Sequence, residues 1–186
     1  MADKNFILFD DDCRDHLLPL TFTRPVCEIR IGILTIREKW HRSLNSGSSY
    51  LTQGYLRSKY PLELKEINWL INGSALPDPR LVAQVLALQP GEAILENDLL
   101  VAACTDQFFE EDDKLDILRL IGRSKIITPA TPARFIRKLT DIFTKNGEAL
   151  RDDYKLITYQ RRSSTIFESN KIINSCLLYT SDAADE

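Results

Sequence analysis

Apolar and polar positions follow one another along the chain in short blocks, and these blocks predict its secondary structure. The apolar run Asn5–Phe9 ends at three aspartates and predicts a buried first strand. Apolar residues spaced three and four apart predict an amphipathic helix over Ile33–Leu44. Small and polar residues then predict a loop over Asn45–Ser49, and alternating apolar residues predict a second strand from Ile67 to Ile71.

Three further blocks follow the second strand. Asp78–Pro79 supplies a capping residue and a first-turn proline, which predict the start of a helix. The runs Ala93–Leu95 and Leu99–Ala102 predict a hairpin. Because strands and helices alternate, the chain is predicted to be an α/β protein. Thr131–Pro132 predicts one more helix, whose apolar face comprises Phe135, Ile136, Leu139, Ile142 and Phe143.

Composition narrows the class of protein. The 186 residues are enough for one ordinary domain, and 44% hydrophobic with 27% charged residues is a globular composition. No apolar run approaches the roughly 18 residues that a membrane helix needs, so we expect a cytoplasmic protein with no membrane partner. A formal net charge of −3 indicates no general nucleic-acid-binding surface, and the four cysteines form no CxxC pair.

The last residues of the chain differ in character from the rest. Residues 176–186 (CLLYTSDAADE) read as a translated sequencing adapter, and the alternative is a native acidic tail. On the adapter interpretation, the gene fragment ends inside an open reading frame. We therefore predict a main domain over residues 1–160, the start of a linker over 161–175, and an artefactual tail over 176–186.

The loop after the first strand, residues 13–30, is the richest in candidate chemistry and is called the arginine loop below. Loops at the carboxyl ends of parallel strands bind ligands in α/β folds. Guanidinium groups present paired donors that suit phosphate oxygens, and free amides at the helix start near Gly32 would add an anion site. Phosphate recognition is one interpretation, and ion pairing with neighbouring acidic residues is the other. The donors in and beside the loop are Arg14, Thr21, Thr23, Arg24, Arg30 and Arg37.

Asp10–Asp12 offers a second chemical interpretation. It resembles the DxD motif of haloacid-dehalogenase-type phosphatases, in which the first Asp attacks phosphorus. That family has Thr or Val two residues after the second Asp, where this chain has Arg14, which counts against it. No GxxxxGK[ST], GxGxxG or GxSxG motif occurs. Cys13 and Cys27 have no histidine beside them, so we expect inert thiols.

The arginine loop and its flanks also carry a family resemblance. Over Ile7–Trp40 (ILFDDDCRDHLLPLTFTRPVCEIRIGILTIREKW) the chain resembles the bacteroidete-type GlmU-like sugar nucleotidyltransferases. These proteins are relatives of the bifunctional N-acetylglucosamine-1-phosphate uridylyltransferase/glucosamine-1-phosphate acetyltransferase. The other matching segments are Tyr50–Pro61, Ile71–Val82, Leu88–Leu95, Asp141–Thr158 and Arg161–Ile173.

The resemblance implies a Rossmann-like domain that transfers a nucleotidyl group from a nucleoside triphosphate to a sugar 1-phosphate, with Mg²⁺ as cofactor. In the wider superfamily the first loop reads roughly GxGTRLxPLTxxxPK, and Arg14 matches its Arg. Val26 occupies the position of the phosphate-binding Lys, whose charge Arg24 or Arg30 would supply. The resemblance thus implies Arg14 and Arg24 as catalytic residues, and as substrate-binding residues Asp11, Thr21, Arg30, Asn72 and Gly73.

The metal-binding Asp of the superfamily's second motif has no match, because Asn72–Gly73 occupies the corresponding strand end. Asp98 is the nearest alternative carboxylate for Mg²⁺. Two functions stay open: uridylyl transfer from UTP to N-acetylglucosamine 1-phosphate, and a non-catalytic module that binds a sugar nucleotide or scaffolds a C-terminal acyltransferase. The resemblance also implies a left-handed β-helix after Ser175, through which the full-length protein would form a homotrimer.

Overall fold

The computed structural model describes residues 4–106 and 122–161, which form an α/β fold around a six-stranded sheet. The strands are β1 (Asn5–Phe9), β2 (Ser48–Leu51), β3 (Asn68–Asn72), β4 (Ala75–Leu76), β5 (Glu92–Glu96), β6 (Leu99–Thr105), β7 (Lys125–Ile127) and β8 (Arg134–Phe135). The helices are α1 (Cys13–His16), α2 (Ile36–Leu44), α3 (Pro79–Ala87), α4 (Leu139–Thr144) and α5 (Asn146–Thr158), with 3₁₀ turns at Val26–Glu28 and Gly54–Leu56.

The topology of the main sheet places several strand ends together. Its order is β2-β1-β3-β6-β5-β7, and of these six strands only β6 runs against the others. The carboxyl ends of β1, β2, β3 and β5 therefore lie at one edge, together with the tip of the β5–β6 hairpin. The chain passes from β1 to β2 on one side and then crosses to β3 on the other. Open α/β sheets bind ligands in a crevice at such a reversal of strand order.

Both faces of the main sheet are covered. Helices α2 and α3 bury Trp40 and Leu81 against the face of β1 that carries Leu8. On the opposite face, Ile7 packs with the partly buried Leu62. Burial on both faces explains why β1 is apolar at nearly every position, since neither side of the strand meets water.

The predicted α/β, Rossmann-like fold is confirmed, as are several of its elements. The first strand has the predicted bounds, and the second lies one residue further on, at β3. The side chain of Asp78 caps α3 by accepting hydrogen bonds from the amides of Arg80 (2.9 Å) and Leu81 (3.2 Å). The predicted hairpin turns through Asn97 and Asp98, both at positive φ, as in a two-residue type I′ turn.

The helix predicted over Ile33–Leu44 begins three residues later than predicted. Thr35 caps α2 by accepting the amide of Glu38, whose carboxylate accepts the amide of Thr35 in return. Gly32 has a φ of +75°, which the preceding turn requires and a helix does not allow. At the other end, the segment predicted as a loop after the helix contains the start of β2 at Ser48.

The helix predicted to start at Thr131–Pro132 is wrong. Arg134–Phe135 instead forms β8, which pairs with β4, and the amide of Ile136 donates to the carbonyl of Ser74 (2.8 Å). Helix α4 begins only at Leu139. The apolar spacing fitted a helix because residues of both the strand and α4 pack on the same core.

Two sequence-based expectations concern the chain's C-terminal region and membrane-spanning helices. Apart from Arg161, the predicted linker over 161–175 and the predicted tail over 176–186 lie outside the described residues. No helix in the part of the chain that the structure describes is long and apolar enough to cross a membrane.

Candidate functional site

Asp10, directly after β1, ties the arginine loop to the sheet. Its carboxylate accepts hydrogen bonds from the amide of Val26 (2.8 Å) and from the hydroxyl of Thr52 (2.5 Å), which follows β2. Burial of the carboxyl group raises the pKa of Asp10 from 3.8 to about 6. The end of β1 therefore holds both the loop and the next strand in place.

Replacing Asp10 with Asn is expected to stabilise the protein above pH 6 by about 2 kcal/mol. The native state keeps the Asp10 proton up to a pH of about 6, whereas an unfolded chain releases it near the ordinary pKa of 3.8. Stability of the unmodified protein therefore falls as pH rises through this interval. Asn removes the titration while still accepting from Val26 and donating to Thr52.

Urea unfolding between pH 4 and pH 8 measures this difference, which should vanish near pH 4. Asp15→Asn is the matched control, because Asp15 carries an exposed carboxylate five residues further on. We expect that substitution to change stability by less than about 1 kcal/mol at any pH. An advantage of Asp10→Asn that is the same at pH 4 and pH 8 would contradict the assignment.

Asp11, Asn72 and Arg137 meet at the crevice between β1 and β3. One oxygen of Asp11 accepts hydrogen bonds from Nδ2 of Asn72 (3.0 Å) and from Nη1 of Arg137 (2.8 Å), and the other accepts the amide of Cys13 (2.9 Å). Although burial opposes its charge, hydrogen bonds from these three residues lower the pKa of Asp11. Asp11 is thus an ionised carboxylate held against a guanidinium group.

The predicted substrate-binding residues Asn72 and Gly73 connect β3 to its neighbours. The buried amide nitrogen of Asn72 also donates to the carbonyl of Leu100 (3.0 Å), and its oxygen accepts the amide and the hydroxyl of Ser74 (2.9 and 2.7 Å). The amide of Gly73 donates to the carbonyl of Phe9 (2.8 Å), and a Cβ at Gly73 would stand only 3.0 Å from that oxygen. These residues form the floor of the crevice.

A cleft of about 460 Å³ lies between the hairpin tip and the segment that contains β8. Arg137, whose side chain is 34% exposed, belongs both to this cleft and to the Asp11 cluster. The predicted metal ligand Asp98 lies in the wall, where it is exposed. A cleft of this size with convergent polar groups suits a small polar molecule, and Arg137 offers it a cationic contact. Its lining comprises Glu96, Asn97, Asp98, Leu99, Ala133, Phe135 and Arg137.

Arg14 and Thr21, both buried, hold the arginine loop together. Nη2 of Arg14 donates to the carbonyl of Thr21 (2.8 Å) and to the hydroxyl of Tyr55 (2.5 Å), while Nη1 lies 3.3 Å from the carboxylate of Asp15. The hydroxyl of Thr21 donates back to the carbonyl of Arg14 (2.7 Å). The two residues therefore bind each other, and the ligand contacts proposed for them stay predictions.

The other arginines differ in how far protein neighbours engage them. Arg37 forms an ion pair with Glu28, and Arg30 lies 4.0 Å from the carboxylate of Glu38. Arg24 is exposed and makes no hydrogen bond or ion pair with any described residue. Arg14, Arg30 and Arg37 thus each have an acidic partner, whereas Arg24 is available to an anion. Substrate binding by Arg30 stays a prediction.

The anion site predicted from free amides near Gly32 is wrong, because the protein itself supplies the acceptors. The carboxylate of Asp153 in α5 accepts the amides of residues 33–34 (2.8 and 3.0 Å), and the side-chain oxygen of Asn146 accepts the amide of Gly32 (2.8 Å). Lys39 forms an ion pair with the same carboxylate, and both side chains are buried. Helix α5 thus fixes the chain just after the arginine loop.

The environments of Cys13 and Cys27 agree with the prediction of inert thiols. Both side chains are buried, and burial raises the pKa of each thiol well above its ordinary value. At Cys13 the neighbouring carboxylate of Asp11 raises it further. Neither thiol is therefore available as a thiolate near neutral pH.

The carboxylates of the cleft bear on the predicted magnesium requirement. Residues 4–106 and 122–161 contain no cluster of three or more His, Cys, Asp or Glu side chains placed to hold a metal ion. Glu96 and Asp98 nevertheless bring carboxylates to the cleft wall. Mg²⁺ commonly uses one or two protein carboxylates together with substrate phosphates, and this donor set fits that arrangement. The role of Asp98 as its ligand stays a prediction.

Sequence reasoning missed three residues that shape the site: Thr52, Tyr55 and Arg137. Their partners Asp10, Arg14 and Asp11 are 42, 41 and 126 residues away in the chain, so no local pattern relates them. The one signal for Arg137 in the sequence was the basic pair that it forms with Lys138, between Ile136 and Leu139 of the predicted apolar helix face.

Most of the chain matches the profile of a known protein family. The profile described as "Sugar nucleotidyl transferase" matches residues 6–162, which include the arginine loop, the crevice and every residue that lines the cleft. No curated protein is significantly similar to the chain. The match favours nucleotidyl transfer over the phosphatase interpretation, while the GlmU-like subgroup stays a prediction. The chain belongs to the sugar nucleotidyl transferase family.

Proposed function

We propose that the protein transfers a uridylyl group from UTP to N-acetylglucosamine 1-phosphate and releases pyrophosphate. One observation carries the proposal: the exposed Arg24 lies two residues before Val26, whose amide binds Asp10, and Arg137 binds Asp11, so both arginines belong to segments anchored at the carboxyl end of β1. Such an arrangement gives two phosphorylated substrates separate cationic anchors. The family match supports nucleotidyl transfer as the reaction class.

On the donor side, Arg24 supplies the cation. It lies two residues before Val26, whose amide is bound to Asp10, so its backbone lies near the carboxyl end of β1 and its exposed side chain can reach an anion there. Its paired donors suit the oxygens of a triphosphate. Val26 is buried and uncharged, so the charge of the superfamily's Lys has to come from elsewhere, and Arg24 is free to supply it.

On the acceptor side, Arg137 and the hairpin tip form the site. The phosphate of the sugar would bind Arg137, and the polar groups of Glu96 and Asn97 would take hydrogen bonds from sugar hydroxyls. Phe135 offers an apolar surface to the sugar ring. The size of the cleft, about 460 Å³, suits a hexose phosphate.

In this nucleotidyl transfer, the main role of the protein is to hold the two substrates in the geometry needed for reaction. An oxygen of the sugar phosphate forms a bond to the α-phosphorus as the bond to the β-phosphate oxygen breaks, and pyrophosphate leaves with that electron pair. Arg24 and Arg137 hold the two anions in contact despite their mutual repulsion. Mg²⁺, held by Asp98 together with substrate phosphates, would neutralise charge on the triphosphate when bound.

Arg24→Ala is expected to lower kcat/KM for UTP by at least about tenfold, because the triphosphate loses its cationic partner. The assay follows pyrophosphate release from UTP in the presence and absence of N-acetylglucosamine 1-phosphate. Release should require both substrates. Unchanged turnover in Arg24→Ala would refute the role of this residue.

Arg42→Ala is the matched control for that substitution. Arg42 is exposed in the last turn of α2, close to the amino end of β2 and hence at the opposite edge of the sheet. Its removal changes the net charge by the same amount without touching the crevice, so we expect activity within about twofold of the unmodified protein.

A second candidate function is a non-catalytic module that binds a sugar nucleotide or scaffolds an acyltransferase. It is favoured by Asn72 and Gly73, which stand where the superfamily has a metal-binding Asp and which are bonded within the protein. Calorimetry distinguishes the two functions. Binding of UDP-N-acetylglucosamine without any pyrophosphate release from UTP would support the module and contradict the enzyme.

A further inference from the structure

Two aromatic side chains lie exposed beside the arginine loop. Phe22 is 62% exposed and Tyr55 is 59% exposed, and their ring centroids are 6.1 Å apart with the planes tilted by 43°. The neighbouring Leu18 and Leu20 are also exposed large apolar residues. An apolar patch in water is unfavourable for an isolated protein, and such patches commonly mark binding surfaces.

The aromatic pair is held in place by hydrogen bonds. The hydroxyl of Tyr55 donates to the carbonyl of Phe22 (2.7 Å) and accepts a bond from the buried Arg14. Arg14 also binds Thr21, the residue before Phe22. Because hydrogen bonds within the protein hold the loop, a molecule that binds there meets little additional cost in conformational entropy.

The position of the pair relates it to the donor site. Phe22 lies two residues before Arg24, and two residues of an extended chain span at most about 7 Å. Tyr55 follows β2, whereas Arg137 and the cleft lie beyond β3, on the other side of β1. Along the carboxyl edge of the sheet, the order is therefore aromatic pair, crevice and cleft.

We propose that the exposed ring of Phe22, supported by Tyr55, is the stacking surface for the nucleobase of the donor nucleoside triphosphate. This assignment rests on the proposed function, which places the phosphates at Arg24 and the sugar phosphate in the cleft. A nucleotide whose phosphates bind at Arg24 and whose other end extends away from the cleft has its base at Phe22 and Tyr55. Every nucleobase has a π face, so Phe22 supplies affinity for the nucleoside, and discrimination among bases comes from other contacts.

The test compares binding of UTP with binding of inorganic tripolyphosphate, both in the presence of Mg²⁺, by calorimetry. Phe22→Ala should weaken UTP binding about tenfold, because a stacked base is lost. It should leave tripolyphosphate within about twofold, since that ligand has no base. Phe22→Trp should restore UTP binding to within about threefold.

Phe143→Ala is the control, because Phe143 in α4 is 79% exposed and lies outside the crevice and the cleft. UTP affinity in Phe22→Ala equal to that in Phe143→Ala would overturn the stacking assignment alone. Equal losses for UTP and tripolyphosphate would overturn it too, because the substitution would then have disturbed the loop. Failure of the unmodified protein to bind UTP at all would overturn the proposed function and the stacking assignment with it.

Discussion

Replacing Asp153 with Ala is expected to lower the free energy of unfolding by about 3–5 kcal/mol. The carboxylate is buried in α5, where it accepts the amides of Ile33 (2.8 Å) and Leu34 (3.0 Å) and pairs with the buried ammonium of Lys39. The substitution leaves that ammonium without its counter-charge and two amides without an acceptor. Denaturation in urea measures the loss.

Two further substitutions separate the contributions at this position. Asp152→Ala is the control, because Asp152 is exposed and shares its partner Arg134 with Glu148, so we expect a loss below about 1 kcal/mol. Asp153→Asn keeps an oxygen for the two amides but places an amide nitrogen where Lys39 needs an acceptor, so it loses the ion pair alone and its loss should be intermediate. Equal stability of Asp152→Ala and Asp153→Ala would show that α5 does not hold the turn at Gly32.

Replacing Arg137 with Ala is expected to reduce kcat/KM for the sugar phosphate by about 100- to 1000-fold. Among the described residues Arg137 is the one guanidinium in the cleft lining, and its contact with Asp11 (2.8 Å) holds it at the mouth of the crevice. Without it, Asp11 faces the incoming phosphate as an uncompensated negative charge. Steady-state kinetics with the sugar phosphate varied at saturating UTP measure the effect.

Charge and geometry at Arg137 can be tested separately. Arg137→Lys keeps the charge but loses the forked donors, so partial recovery is expected. Arg134→Ala is the control in the same segment, because Arg134 pairs with Glu148 and Asp152 outside the cleft. The proposed acceptor site would be refuted if Arg137→Ala retained the same kcat/KM for the sugar phosphate as Arg134→Ala.

The parts of the fold that the sequence predicts well are those with local causes. The strand at β1, the helix capped by Asp78 and the hairpin through Asn97–Asp98 each depend on residues a few positions apart. The prediction fails where a partner distant in the sequence determines the secondary structure. The apolar spacing after Thr131 suits a helix, but β8 pairs with β4, some 60 residues earlier in the chain.

The same distinction applies to the candidate site. The arginine loop could be recognised because its cations are concentrated in one short stretch, and the crevice could be expected because ligands bind at the carboxyl ends of parallel strands. Which arginine is available could not be predicted. Burial and the bonds to Thr21 and Tyr55 engage Arg14, whereas Arg24 has no protein partner among the described residues.

The contacts of α5 also bear on how the chain folds as it leaves the ribosome. The hydrogen-bond and ion-pair partners of four residues lie 114 to 120 positions further along the chain. These residues are Gly32, Ile33, Leu34 and Lys39. A nascent chain that has exposed only its first hundred residues therefore lacks the α5 side chains that pair with these groups. Domains mostly fold as units during translation, and the turn at Gly32 would here be completed only once α5 has emerged.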